Sequence, residues 1–395
     1  MVFLRSESEA KAMADRGVGD VIVPSGRTRV AFSAQGMIGP AYGIARYVRN
    51  LLNAMAQLEE KPDLTVFYAG RRRLRDFEHV WPHRWIRMPT RALAATSVAG
   101  PVPIELFIGR HQLVHGPDVI GVRSVAPQVI TLHDLTFFRL PELFPSLYDP
   151  RRNPALGVYQ QRARASILRA SHIICVSQAT RKDLLELFDV DPNRVSVVPH
   201  GSPELPAGYR REPNENGHVR ILFVGMLVHR KNLPTAVDAV SLLRRGGIDA
   251  ELVVCGDGDG PESAAIRADC ERRAGDRWLT WRGRVTDDLV WSELARATAL
   301  IYPSWYEGFG LPPFEAFQAA VPVVAAKSSS LSELLQGAAL LCDPGSPEEF
   351  AAALGRIVSN RSERDRLVRN GRDRAAQYTW RRAAEETVAV YERFG

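Results

Sequence analysis

The sequence has no run of eighteen apolar residues, so no segment reads as a helix that would cross a bilayer. Cysteine is scarce. Cys175, Cys255, Cys270 and Cys342 are scattered without CxxC spacing, and Cys175 and Cys255 sit inside apolar runs. That argues against a disulfide framework or a zinc site and for buried, reduced thiols. The first thirty residues lack the apolar core of a secretory signal and carry Arg5, Glu7, Glu9, Lys11, Asp15 and Arg16 instead. The expected location is therefore cytoplasmic. Low-complexity segments are absent too, and so is any internal repeat beyond a likeness between the two halves. What is present is 395 residues, 45% hydrophobic and 24% charged, the balance of a folded globular chain long enough for two domains.

The net charge of +6 is unevenly placed. Residues 1–200 carry 26 Lys and Arg against 18 Asp and Glu, whereas residues 201–395 carry 25 against 27. A basic first half fits nucleic acid, an anionic membrane surface or an anionic substrate, and equally a solvated arginine-rich face. No RNA-binding signature or helix-turn-helix pattern accompanies it, so no nucleic acid partner is expected.

After a polar lead at 1–28, apolar runs at 29–33, 64–68, 112–115, 128–133 and 171–176 read as buried strands, with helical patterns between several of them, the first at 44–58. One more apolar run, 195–199, precedes a stretch rich in Pro, Gly, Asn and Glu. Beyond it, strands at 220–224, 250–255, 278–282, 298–302 and 321–325 alternate with helices at 234–245, 261–274, 290–296, 313–319 and 331–335. The fold class is α/β: two Rossmann-like, doubly wound domains facing a cleft. The expected units are an extension at 1–28, a domain at 29–200, a linker at 201–217, a second domain at 218–376 and a terminal helix at 377–395. That helix places Trp380, Ala384, Val388 and Tyr391 on one stripe.

Open parallel sheets bind ligands beyond the carboxyl ends of their strands, so the loops after strands hold the candidate chemistry. The most specific is 302–315, YPSWYEGFGLPPFE. Gly308 and Gly310 let main chain approach a ligand, Pro313 suits a first helical turn, and Glu307 and Glu315 stand eight residues apart. One carboxylate could grip each end of an extended polyhydroxylated ligand. Alternatively, Glu315 serves the helix dipole and Glu307 is a loop acid.

This segment, continued by 316–325, resembles the E-x7-E signature of the retaining family-4 glycosyltransferases, which have the GT-B fold. GMLVHRKNL at 225–233, VSQAT at 176–180, PHG at 199–201 and residues 328–344 are similar to other segments of that family. GIARYVRNLL at 43–52 and TLHDLTFFRLP at 131–141 resemble members that transfer mannose or rhamnose in O-antigen or capsule synthesis. The likeness covers nearly all of residues 29–395.

The resemblance implies a nucleotide diphosphate sugar as donor, GDP-mannose first, bound by the second domain. It implies a glycan or polyprenyl-diphosphate-linked acceptor on the first domain, and a terminal helix that crosses back to that domain. Glu315 would bind the ribose hydroxyls and Glu307 those of the donor sugar. Main chain at Phe309, Gly310 and Leu311 would lie against sugar and phosphate, with Gly225 beside them. Lys231, with Arg230, would neutralise the leaving diphosphate, and His133 would contact the donor sugar. Met226 stands where many members have Arg, which shifts weight to Arg230 and Lys231. Gly36, Gly39 and Gly43 form a loop without GxGxxG spacing that would let backbone meet the donor.

No cofactor and no metal are implied, and Asp257-Gly258-Asp259, which spells DxD, reads as a turn. No residue stands out as a carboxylate nucleophile for double displacement, so the family's same-face dissociative substitution is the expected route. Another GT-B activity, epimerase or phosphorylase, and a non-catalytic membrane-binding scaffold are the alternatives. A final expectation concerns Arg71, Arg72, Arg73, Arg75, Arg84, Arg87 and Arg91, interleaved with Phe77, Trp81 and Trp85. Such a stretch suits peripheral contact with an anionic membrane, on the inner face, with indoles at the boundary, or else a solvated helix whose tryptophans turn inward.

Overall fold

The computed structural model describes residues 27–38, 43–71, 73–74, 80–87, 100–143, 154–212, 218–258, 260–275 and 278–395. Seven strands form the first sheet: β1 (Arg29–Ser33), β2 (Asp63–Ala69), β3 (His83–Ile86), β4 (Leu113–Gly116), β5 (Gln128–Leu132), β6 (His172–Cys175) and β7 (Val195–Val197). They lie parallel in the order β3-β2-β1-β4-β5-β6-β7. The second sheet holds β8 (Val219–Val224), β9 (Ala250–Cys255), β10 (Leu279–Gly283), β11 (Ala299–Tyr302), β12 (Val323–Ala326) and β13 (Leu340–Cys342). Its order is β10-β9-β8-β11-β12-β13, again all parallel. Strand order reverses between β1 and β4 and between β8 and β11, and such reversals open a crevice at the carboxyl ends.

The helices that matter below are α1 (Gly43–Ala56), α2 (Pro154–Arg169), α3 (Gln178–Leu187), α4 (Leu233–Arg245), α5 (Pro261–Ala274), α6 (Asp287–Arg296), α7 (Leu311–Gln318), α8 (Ser329–Leu334), α9 (Pro347–Ser359), α10 (Arg361–Ala376) and α11 (Trp380–Tyr391). Strands covered on both faces are largely apolar, and every residue of β5, β11 and β12 is buried, with Gln128 and Thr131 the polar members of β5. Helix α1 buries Tyr47, Val48, Leu51, Leu52 and Met55 and turns Arg46, Arg49, Asn50 and Asn53 the other way. Ser177, Thr286 and Thr379 cap α3, α6 and α11 through their hydroxyls. All four cysteines are free and buried, and burial pushes the Cys175 thiol up to about 12.

The structure corrects the arginine-rich stretch. Part of it is a strand, β3, and its tryptophans face the protein. Trp81 is buried and donates its indole N–H to the Leu52 carbonyl at 3.2 Å; half-buried Trp85 donates to the Gly70 carbonyl at 2.9 Å. Indoles satisfied by protein carbonyls are not a membrane-boundary belt. Arg72, Arg75, Phe77 and Arg91 lie outside the described residues.

The chain passes from the first sheet to the second after β7 and returns before α11. Tyr391 on α11 meets His115 of β4, and its carbonyl accepts from Thr28 Oγ1 at 3.2 Å. The two passages touch where Ser202 N–H donates to the Tyr378 carbonyl at 2.8 Å, and a Cβ on Gly201 would lie 2.3 Å from the Trp380 nitrogen. Only glycine fits there. Gly201→Ala should therefore cost about 1–3 kcal/mol through forced displacement of α11, read as a lowered unfolding midpoint; an unchanged midpoint would mean the two passages are not in contact.

Candidate active site

Glu307 follows β11 and is 6% exposed. A carboxylate buried this deeply stays ionised only beside compensating charge. Two cations supply it: Lys231 Nζ lies 2.7 Å from Oε1, and an Arg230 terminal nitrogen lies 2.8 Å from Oε2. The Tyr302 hydroxyl donates to the same Oε1 at 3.0 Å and accepts from Lys231 Nζ at 2.7 Å. Burial alone would raise the carboxyl, but Arg230 and then Lys231 outweigh it and hold it at about 2. Burial pulls Lys231 down from the ordinary lysine range despite Glu307, while Arg230, beside Glu307 and Asp134, is raised.

Local structure brings these groups together. His229–Lys231 form a 3-10 turn, and Asn232, at φ 54°, bends the chain into α4. The Asn232 amide donates to the carbonyls of Pro303 (3.1 Å) and Pro344 (2.7 Å), tying three loops. Ser329 and Ser330 at the start of α8 donate to the Glu307 carbonyl at 2.9 and 2.8 Å, and Ser329 Oγ accepts from its N–H at 2.8 Å. Gly308 packs against the other domain, where a Cβ would fall 1.6 Å from the His133 carbonyl oxygen.

Glu315, on α7, is 2% exposed and pairs with Arg46 of α1, across the cleft. Its Oε2 has no hydrogen-bond partner among the described residues. Arg46 stays protonated: burial disfavours its charge, but Glu315 and Asp287 more than compensate.

His133 follows β5 directly, and its partly buried ring has protein partners on both nitrogens. Nε2 lies 3.0 Å from the Pro117 carbonyl, which can only accept, so Nε2 carries the proton. Nδ1 then accepts from His200 Nε2–H at 3.2 Å. Both ring nitrogens are thus engaged within the protein, leaving the main chain of His133 to face the Gly308 loop. His200 stacks on Tyr47 at 4.8 Å and on Trp380 at 5.8 Å, and its Nδ1 is buried without a partner among the described residues. Burial holds both imidazoles below the usual histidine range, His200 well below, so both are neutral.

The remaining candidates spread around this centre. Gly225 donates its N–H to the Cys255 carbonyl at 3.0 Å, beside the Lys231 stem. Phe309 is 3% exposed and stacked on Phe314 at 4.8 Å, so it offers main chain rather than its ring; Gly310, at φ 88°, and Leu311 open α7. Half-buried Met226 precedes Leu227, whose N–H meets the Asp257 carbonyl at 3.2 Å. Asp257 Oδ1 accepts from Gly258 N–H at 2.8 Å, a turn; Asp259 and Gly39 lie outside the described residues. Arg46, His200, Asn232, Tyr302, Ser329 and Ser330 were not singled out from sequence as site residues. GIARYV, PHG and the serine run are the only signals that could have found some of them.

Comparison with known proteins fits this geometry. A model described as glycosyltransferase family 4 matches residues 41–203, and one described as glycosyl transferases group 1 matches residues 209–374. O-antigen chain mannosyltransferase B of Escherichia coli is 24% identical over 392 residues, spanning 92% of this chain and 99% of that protein. A GDP-mannose-dependent alpha-(1-6)-phosphatidylinositol dimannoside mannosyltransferase of Mycobacterium tuberculosis is 33% identical over 173 residues, 44% of this chain and 43% of that protein. The crystal structure of Anabaena HepE in complex with UDP and glucose superposes with a TM-score of 0.68 over 92% of this chain and 99% of that one, at 15% identity, a likeness of fold. Since the two models take up one domain each and the architecture matches over 92% of the chain, the chain belongs to the family-4 glycosyltransferases and has the GT-B fold.

Proposed function

We propose that this glycosyltransferase moves a hexose, mannose from GDP-mannose, onto a glycan or polyprenyl-diphosphate-linked acceptor in surface polysaccharide synthesis, with retention of configuration and without metal or cofactor. One observation carries the reading: Arg230 and Lys231, both partly buried, stand side by side on the buried carboxylate of Glu307 at the crevice of the second sheet. Fixed cations in a water-poor site are what a departing diphosphate requires, because its charge grows as the glycosidic bond breaks. On the proposed route the C1–O bond to phosphate breaks, the acceptor oxygen joins C1 from the same face, and the acceptor proton passes to the leaving phosphate oxygen. Glu315, whose buried Oε2 has no partner among the described residues, suits the ribose hydroxyls. Glu307 has both oxygens on cations, so any hydroxyl of the donor sugar shares it with Arg230 and Lys231. Mannose and GDP are supported by the activities of the two relatives, a mannosyltransferase and a GDP-mannose-dependent mannosyltransferase.

The direct test is product analysis with GDP-mannose, UDP-glucose and dTDP-rhamnose. GDP release from GDP-mannose should persist in excess EDTA; loss restored by Mg or Mn would mean that Asp257 and Asp259 had been misread. Lys231→Ala should lower kcat by about 10²- to 10³-fold, the usual consequence of losing one preorganised electrostatic donor, and a loss below about threefold would remove Lys231 from the chemistry.

For a lipid-linked acceptor we propose peripheral docking at an anionic membrane through the exposed side chains of Arg71, Arg73, Arg84 and Arg87. No helix of the described residues is long and apolar enough to cross a membrane. Flotation should show binding to anionic but not neutral liposomes, weakened by salt and by Arg84→Ser with Arg87→Ser; recovery with neither would point to a soluble acceptor.

A further inference from the structure

The two buried carboxylates of the cleft have unequal sets of donors. Glu307 receives Arg230, Lys231 and Tyr302. Glu315 receives one guanidinium on Oε1, and its buried Oε2 receives nothing among the described residues. An arginine that only tied the domains together would be expected to present its fork to both oxygens. Leaving a buried carboxylate oxygen without a donor is costly, and a cleft that retains one has it available to a ligand hydroxyl.

Arg46 also has somewhere to go. Its Nε lies 3.9 Å from the carboxylate of Asp287, the first residue of α6, whose side chain is 62% exposed. Arg46 and Asp287 line one cavity of about 460 Å³, walled by Asn50 and Asn53 of α1, Trp291 of α6 and Trp380 of α11. The guanidinium therefore stands between a buried acid and an open one, with space beside it. The step from the first to the second is short, since Nε already lies 3.9 Å from Asp287.

We propose that Arg46 gates the donor site: without donor its guanidinium occupies the face of Glu315 that the ribose hydroxyls take, and donor binding transfers it to Asp287. The inference rests on the reading of Glu315 as the nucleotide's carboxylate. Because Arg46 belongs to one domain and both acids to the other, the exchange keeps α1 tied to the second domain while the nucleotide enters and leaves.

Isothermal titration of the full chain with GDP and with UDP tests this. Removing an internal competitor strengthens ligand binding, so Arg46→Met should bind the preferred nucleotide about tenfold more tightly. Asp287→Asn alters an exposed residue and should weaken it about threefold, because the displaced guanidinium loses its second partner. Arg46→Lys, which keeps the charge, should stay near wild type. Weaker binding by Arg46→Met would make Arg46 an ordinary diphosphate ligand, and unchanged binding a structural tie; either overturns the gate. Should Arg46→Met fail to fold, an unchanged Kd in Asp287→Asn overturns it equally. Glu315→Gln separates the two readings. If it binds as wild type does, or if wild type binds neither nucleotide, both fail. If it weakens binding while Arg46→Met does not tighten it, the gate alone fails.

Discussion

The cleft is organised around one electrostatic requirement, that the charge on Glu307 be balanced where water cannot balance it. Removing one partner from a buried ion pair commonly costs about 3–5 kcal/mol, so the positions of Arg230 and Lys231 are not optional. Meeting them constrains the backbone on three sides. The loop after β8 must form its 3-10 turn and accept a left-handed Asn232; the loop after β11 must be held by Ser329 and Ser330; Gly308 must let the first domain come within contact distance. A buried charge thus does what an apolar contact could not: it specifies direction as well as proximity.

The interface between domains follows a different logic. Beside ring contacts such as His200 with Phe309 at 4.9 Å, it holds several polar pairs, each short in reach. Glu333 of α8 accepts from the N–H groups of Gln178 and Ala179 at 2.8 and 3.1 Å, where the opening of α3 favours a carboxylate. Tyr306 meets Asp183, and Arg46 meets Glu315. Polar pairs of this kind can be exchanged for water or ligand at little net cost, unlike a buried apolar face, so relative domain movement is the natural expectation. Backbone meets backbone where the two chain passages cross, at Ser202 and Tyr378 beside Gly201 and Trp380, and again where Gly308 approaches the His133 carbonyl.

Much of this was legible in sequence because the information is local. Strands buried on both faces are continuous apolar runs, so β1 and β9 coincide with the expected ranges and most others fall within two residues of them. Two strands were not. β13 is three residues long, and β3, HRWI, has one fully buried residue in four, so arginine masked it. The motif around Glu307 was readable for the same reason: glycines, prolines and two glutamates lie within fourteen residues. Its partners were not, because 76 residues separate Lys231 from Glu307 and 269 separate Arg46 from Glu315. Pairings of that range leave no period in the chain. The tryptophans at 81 and 85 misled because composition says which side chains are near an arginine, not which way they point.

The histidines sharpen the division of labour. His133 and His200 are both neutral, for burial penalises their charged forms, and each is held by hydrogen bonds and ring stacking. They add shape to the cleft but no positive charge. In the proposed chemistry, negative charge developing between the domains would be met by Arg230 and Lys231, with Arg46 on the other flank. Of the first two, arginine is raised further above an already high value, whereas lysine is drawn down by burial. Arg230 therefore holds its charge on Glu307 the more firmly, and Lys231, which also touches Tyr302, is the cation that the proposed chemistry would turn toward a diphosphate. The proposed chemistry needs both: one charge that never leaves the carboxylate, and one that can turn toward the leaving group without abandoning it.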